Sequence, residues 1–236
     1  MGIEAGHSFA KRHRRFSLPS HPYNRDIYSV SEAKLYANAL DLDNTYDQIY
    51  TISQNIYTIE DFKSFTENSN RIRNIRPDVL NCFFGSNDIA SLTSHTPNTV
   101  LSLATKLVRT LQEVAAPVTI VNEVLPRTSN ISSSANEFKQ NANLFNTIMR
   151  NFDNSKIYLQ TGEPLILYNK LNGFAKMEMP DQWGVVRSFD RPVSDWSLDG
   201  IHCATNPIYE GEKSPMEYFH NKVRKGFLTA SGKLAI

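Results

Sequence analysis

The sequence predicts an α/β fold, with a parallel sheet covered by helices on both faces. Two observations carry the prediction. Strand-length apolar runs alternate with segments of helical periodicity, the order a parallel sheet requires. One of those runs, Asp78 to Phe84, is nearly continuous in apolar residues, as a strand buried on both faces must be. At 236 residues with 40% hydrophobic content, the chain can bury one large core. The expectation is a single domain over residues 1–236.

The elements follow in order. Met1 to Ala5 is a short apolar lead-in and reads as a first strand ending at Gly6-His7-Ser8-Phe9. The run Lys11-Arg12-His13-Arg14-Arg15 then reads as the solvated face of a helix after Ser8. Asp47 to Ser53 is a strand. Thr58 caps the next helix, with Asp61 at its third position, and Pro77 ends it. After the Asp78–Phe84 strand comes a helix with Thr96 as cap and Pro97 first. Its buried stripe is Leu101, Ala104, Leu107, Val108 and Leu111. Pro117 to Pro126 is a strand, and Ser134 to Phe152 a helix. Lys156 to Gln160 is a short strand. Gly162 to Thr205 has little periodicity and reads as a long loop region, its stretch from about residue 162 to 198 shaping a pocket. Phe174, Met177, Met179 and Trp183 suit an apolar wall there or core positions. A last helix has Ser214 as cap, Pro215 first and Glu217 in the capping-box position.

Composition excludes some functions. The formal net charge is +1, so no global field recruits nucleic acid or anionic membrane. No apolar run approaches the roughly 18 residues of a membrane span, and the first residues carry no secretory apolar segment. Two cysteines, Cys82 and Cys203, read as buried thiols of an intracellular, reduced protein. His7, His13 and His21 match no familiar ligand spacing, so no metal is expected. The cluster Lys11, Arg12, Arg14, Arg15 is the sole candidate nucleic-acid contact, and four cations in a neutral chain carry little weight.

Three short motifs fall at strand ends, where open parallel sheets place their sites. They are Gly6-His7-Ser8-Phe9, Gly85-Ser86-Asn87-Asp88 and Asp199-Gly200-Ile201-His202. Their chemistry is compatible. A serine hydroxyl attacks only when a base takes its proton, histidine is the usual base, and a carboxylate fixes its tautomer. Asp199 and His202 are close enough for one turn to present both. Asn87 offers an amide donor to an oxyanion. Each motif has a plainer reading. Ser8 alone suits a helix N-cap, Asn87-Asp88 a turn, and Asp199-Gly200 a tight turn with a surface histidine. Trp196, Leu198 and Ile201 around the last pair favour a built site.

The order Gly-x-Ser, Gly-x-Asn-Asp, Asp-x-x-His resembles the SGNH (GDSL-type) hydrolase superfamily, over roughly Ile3 to Thr205. The Pro126-Arg127 strand end and the segment Ala142 to Asn146, a helix ending in an Asn-bearing turn, resemble it too. The resemblance implies a three-layer α/β/α sandwich with a flavodoxin-like parallel sheet. It also implies a serine esterase or acyl hydrolase of small carboxylic esters, acetyl esters among them, without a cofactor. Ser8 would be nucleophile, His202 base and Asp199 its orienting carboxylate. Asn87 and the Ser8 N–H would stabilise the oxyanion.

Two departures stand out. His7 occupies the place where the family carries aspartate. No glycine lies between Gly6 and Gly85, so the family's second-block glycine is missing. The equivalent loop is Ser53 to Thr58, where Ser53, Gln54 or Asn55 would have to donate instead. The missing glycine motivates an alternative: an SGNH-like module that has lost efficient catalysis and binds or scaffolds, as a domain of a larger or mobile-element protein.

Overall fold

A computed structural model describes residues 1–114, 116–154, 165–168, 176–180 and 182–234. Five parallel strands form the main sheet: β1 (Gly2–Gly6), β2 (Ile49–Ile52), β3 (Val79–Phe83), β4 (Val118–Asn122) and β5 (Leu165–Tyr168), in the order β2-β1-β3-β4-β5. β1 pairs with β2 on one side and β3 on the other. Its five residues are all buried, which suffices for a central strand. The helices are α1 (Ser8–Ser17), α2 (Val30–Ala39), α3 (Ile59–Asn68), α4 (Arg71–Ile75), α5 (Ser86–Ala90), α6 (Pro97–Val114), α7 (Ala135–Asn154) and α8 (Pro215–Leu234). α1, α2 and α8 pack together over β1 to β4, while α3, α6 and α7 pack in sequence as a second layer. The expected sandwich is therefore present.

Local chemistry explains most boundaries. Thr58 and Asp61 form the predicted reciprocal capping box at α3. Ser214 and Glu217 do the same at α8, with Glu217 N–H donating to Ser214 Oγ at 3.2 Å. Thr96 Oγ1 accepts from Thr99 N–H ahead of α6.

Several expectations need correction. The helix read from Thr58 to Pro77 breaks into α3 and α4, because Ser69 turns extended and Arg76 takes a left-handed conformation before Pro77. β4 ends at Asn122, four residues short of Pro126. α7 continues past Asn146 to Asn154, so Asn146 is a mid-helix residue. Its amide donates to Val124 O at 3.0 Å and accepts from Val124 N at 2.9 Å, tying down the chain beyond β4. The Lys156–Gln160 strand lies outside the described residues. The stretch read as loop contains β5 and an antiparallel pair, β6 (Lys176–Pro180) and β7 (Val186–Asp190). Trp183, between those two strands, is 74% exposed, not a core residue.

The basic run on α1 is the largest departure. It is not a solvated face: Lys11, His13 and Arg14 are buried. Charges this deep need partners. The His13 ring meets Glu4 of β1 at 3.1 Å, and Tyr36 O–H donates to the same carboxylate at 2.9 Å. Arg14 donates to Asp26 at 2.9 Å. Three of the five residues face inward, with Glu4 in β1 beside His13 and Asp26 ahead of α2 beside Arg14, while Arg15 stays exposed.

Candidate active site

The three motifs meet at the C-terminal end of the sheet. β1 ends at Gly6, and Ser8 is the first residue of α1. His7 takes the cap position, with no side-chain cap bond, and Ser8 Oγ is bonded to no described residue. The capping reading of Ser8 is thus not what the fold uses. A small pocket opens over Ser8, with room for about one water-sized group (≈ 20 Å³); His7, Phe9, Tyr57, Asn87 and Ile201 are among its walls.

The His7 ring lies 4.1 Å from the Tyr57 ring, centroid to centroid. Burial, with Lys11 and His202 nearby, pushes its pKa down to about 4, so it is neutral at pH 7. The residue before Ser8 therefore adds no charge to the pocket.

Gly85 starts α5 with φ +102°, and a Cβ there would press on Phe145 and Val124. That turn brings Asn87 to the pocket. Arg127 NH1 donates to Asn87 Oδ1 at 3.1 Å, and Asn87 Nδ2 donates to Tyr57 O at 2.9 Å. The two contacts fix which way the amide faces. One N–H of Nδ2 remains.

The Asp199–His202 turn is built on one carboxylate. Asp199 Oδ1 accepts from His202 N at 2.7 Å and Ile201 N at 2.9 Å. Its Oδ2 lies 2.8 Å from His202 Nδ1 and 2.9 Å from the Arg12 guanidinium. Gly200 sits at φ +72°, where a Cβ would collide with the Thr128 and Ser129 side chains. Burial works against the charge of Asp199, but bonds from the His202 backbone and ring and from Ile201 outweigh it and hold its pKa well below the usual range. Burial lowers the His202 pKa, opposed by Asp199 and reinforced by Arg12 and Arg127. The ring nitrogen away from Asp199, Nε2, is buried and meets no hydrogen-bond partner among the described residues. The ring packs 5.2 Å from Phe9, the neighbour of Ser8. Of the expected anchors around this pair, Trp196 is fully buried and Ile201 lines the Ser8 pocket, but Leu198 is 80% exposed.

The glycine-free loop is organised by Asp26. Its Oδ2 accepts from Ser53 N and Gln54 N, both at 2.9 Å. Those two N–H groups are committed. Asn55 follows in the left-handed region at φ +59°, which asparagine tolerates better than most residues. Its N–H has no partner among the described residues.

Sequence reasoning missed Asp26, the role of Arg12 beside Asp199, and the pocket walls Phe9 and Tyr57. Asp26 carried no motif. Apart from Tyr28, its partners lie 12 to 28 positions away in the chain. Among the described residues no cluster of His, Cys, Asp and Glu suits a metal, and no helix is long and apolar enough to cross a membrane. Burial pushes both cysteine thiols up, so neither is poised as a nucleophile.

No family model matches the sequence, and no curated protein matches it. Solved structures do match the fold. A GDSL-like lipase of Bacteroides thetaiotaomicron superposes with a TM-score of 0.57 at 12% identity, covering 97% of this chain and 88% of that one. An acetyl esterase, solved as a serine-to-alanine mutant with acetate ion, gives 0.55 at 9% identity, covering 99% of this chain and all of that one (100%). A carbohydrate esterase family 3 protein of Talaromyces cellulolyticus gives 0.53 at 10%, with 99% of each chain covered. This chain shares their fold.

Proposed function

We propose that this protein is a serine esterase of the SGNH type, cleaving small carboxylic esters through an acyl-enzyme at Ser8. One observation carries the reading: His202 has Nδ1 held by Asp199 at 2.8 Å and Nε2 buried and unpartnered, and its ring packs 5.2 Å from that of Phe9, the residue after Ser8. A neutral histidine so held has one nitrogen left to accept a proton.

The steps follow. His202 Nε2 takes the Ser8 proton as Oγ attacks the ester carbon. The carbonyl π pair moves onto oxygen. The Ser8 N–H at the start of α1 and the remaining Asn87 N–H receive that charge. The Asn55 N–H, without a partner among the described residues, is a backbone donor left in the glycine-free loop. The tetrahedral intermediate collapses, and the alcohol leaves with the proton from His202. Water then gives a proton to His202 as its oxygen attacks the acyl-Ser8 carbon, and the second tetrahedral intermediate collapses with His202 returning that proton to Ser8 Oγ as the acid leaves. The tightness of the pocket favours a short acyl group such as acetyl, and that fold neighbours are esterases of this size supports it.

A fluorophosphonate probe tests the reading. Covalent label should appear on Ser8 and vanish in Ser8→Ala, with hydrolysis of p-nitrophenyl acetate lost in parallel. Folded protein that neither labels nor hydrolyses the ester overturns it. A second reading has one observation in its favour: Ser53 and Gln54 turn their N–H groups to Asp26 rather than to the pocket. On that reading the chain is a binding module with a vestigial site, and the same experiment decides between them.

A further inference from the structure

An asparagine amide can face two ways. Turned over, Asn87 would present its oxygen to the Ser8 pocket and repel the charge that an ester carbonyl develops there. Two groups hold it the other way. The Tyr57 carbonyl takes one N–H of Nδ2 at 2.9 Å. Arg127 Nη1 stands 3.1 Å from Oδ1. A guanidinium has donors only, so the atom facing it must be the amide oxygen. The bond from a cation is the stronger of the two.

Arg127 is itself held by its own loop. Nε donates to Ser129 O at 3.0 Å and Nη2 to Asn130 O, while Nη1 also reaches Ser86 Oγ at 3.4 Å. The side chain is buried, its guanidinium carbon 5.6 Å from the centre of the Phe138 ring. All four hydrogen-bond partners are neutral, and Arg127 makes no ion pair among the described residues. A buried cation is costly where no acid meets it, and its charge acts on whatever lies around it. Burial lowers the Arg127 pKa, and the charge of Asp199 opposes that. Arg127 in turn adds to the lowering of the His202 pKa, behind burial and Arg12. The backbone makes the same link. Thr128 N–H donates to Gly200 O at 2.8 Å, inside the Asp199–His202 turn. Residues 127 and 128 therefore join the two halves of the site.

We propose that Arg127 is a positioning residue whose charge is used: it aims the Asn87 amide at the Ser8 pocket and backs that amide with a buried guanidinium where the oxyanion forms. The role rests on the esterase reading. A cation bonded to the amide oxygen polarises the amide and makes its free N–H a better donor. It is in place before the charge develops, so nothing has to reorganise. A neutral side chain of similar bulk would fill the space and supply no field.

Hydrolysis of p-nitrophenyl acetate tests this in a cycle of four proteins: the parent, Arg127→Met, Asn87→Ala and the double variant. Arg127→Met should lower kcat by about 10²-fold, the scale of one lost oxyanion donor, and move KM by less than about threefold. In the double variant the two losses should overlap, leaving it within about threefold of Asn87→Ala alone. A residue that merely braced the loop would add its whole loss to that of Asn87→Ala. The acid limb of kcat/KM gives a second readout. Its midpoint should rise in Arg127→Met, because one cause of the low His202 pKa is gone. Arg127→Lys keeps a buried charge without the fork, so it should lower kcat less and leave the midpoint in place. Circular dichroism checks folding, and Arg127→Lys enters the cycle if Arg127→Met does not fold. Fully multiplicative losses, or a midpoint unmoved by Arg127→Met, overturn the role and leave the esterase standing. A parent protein that hydrolyses no ester and takes no fluorophosphonate sinks the esterase reading, and the role of Arg127 with it.

Discussion

Two carboxylates organise the two loops of this site, and they do opposite things. Asp26 is 1% exposed, and it gathers Arg14, Tyr28, Thr51 and the N–H groups of Ser53 and Gln54. Asp199 is 38% exposed and gathers His202, Ile201, Ser197 and Arg12. The first turns polar groups inward, away from the pocket. The second orients a ring so that its far nitrogen stays open. A carboxylate accepting several N–H bonds is a cheap way to fix an irregular loop, because one residue satisfies groups that would otherwise be orphaned. Which loop it fixes decides whether the result is stability or chemistry.

Exchanging each acid for its amide should separate the two roles most sharply. Asp199→Asn should lower kcat/KM by about 10²-fold or more, because the ring loses its tautomer and its counter-charge. Tm should move little, since a part-exposed pair adds little stability. Asp26→Asn should do the reverse. It leaves Arg14 as a buried charge without its partner, at a cost of about 3–5 kcal/mol. Urea unfolding and ester kinetics on both variants check this. A large stability loss in Asp199→Asn with activity retained would invert the comparison.

The same contrast governs what could be read from the sequence. The Asp199–His202 pairing was legible because it is local: three positions apart, on a glycine turn, with bonds inside one motif. Ser8 and Asn87 were legible by their order and their strand ends. Asp26 was not, since nothing near it in the chain reports that Ser53 and Gln54 will arrive. The buried basic run on α1 failed for the same reason. A helical run of Lys and Arg normally faces water, and only tertiary structure reveals Glu4, Asp26 and Asp199 waiting for it. The helix α2 was visible in principle, because Ser29 and Glu32 form a capping pair, with Glu32 N–H donating to Ser29 Oγ at 3.3 Å. The strands β5 to β7 fall in a stretch too irregular in pattern to separate from loop.

A smaller effect sharpens the Asp199 side. Burial holds the His202 pKa below its ordinary 6.5, and the Arg12 charge adds to the lowering. His202 therefore loses its proton at a lower pH than a free imidazole does. The acid limb of kcat/KM should fall with a midpoint below pH 6.5. Arg12→Gln removes one cause of the lowering, so its midpoint should rise. A midpoint that stays put or drops would mean Arg12 acts on Asp199 alone.

The smallest effect concerns the fold rather than the reaction, and it sets half-buried histidines against a buried acid. Burial pushes His7 and His220 down to about 4 from an ordinary 6.5. His220 is ringed by His13, Glu4, Ser17, Glu217 and Arg224, and the His13 charge adds to its lowering. Between pH 6.5 and 4 the unfolded chain binds protons that the folded chain refuses, so stability falls as pH drops. Asp88 runs the other way. Burial lifts its carboxyl to about 6 from 3.8, against the bond from Ile59 N–H. Between pH 6 and 3.8 the folded chain holds that proton more tightly than the unfolded one, so this group gains stability as pH drops. The decline should therefore begin near pH 6.5 and flatten below pH 6. Asp88→Asn keeps an acceptor for Ile59 and removes the titration, so its Tm should fall more steeply than that of the parent from pH 6 to 4. Parallel curves across that interval would show that Asp88 does not titrate there and that the histidines act alone.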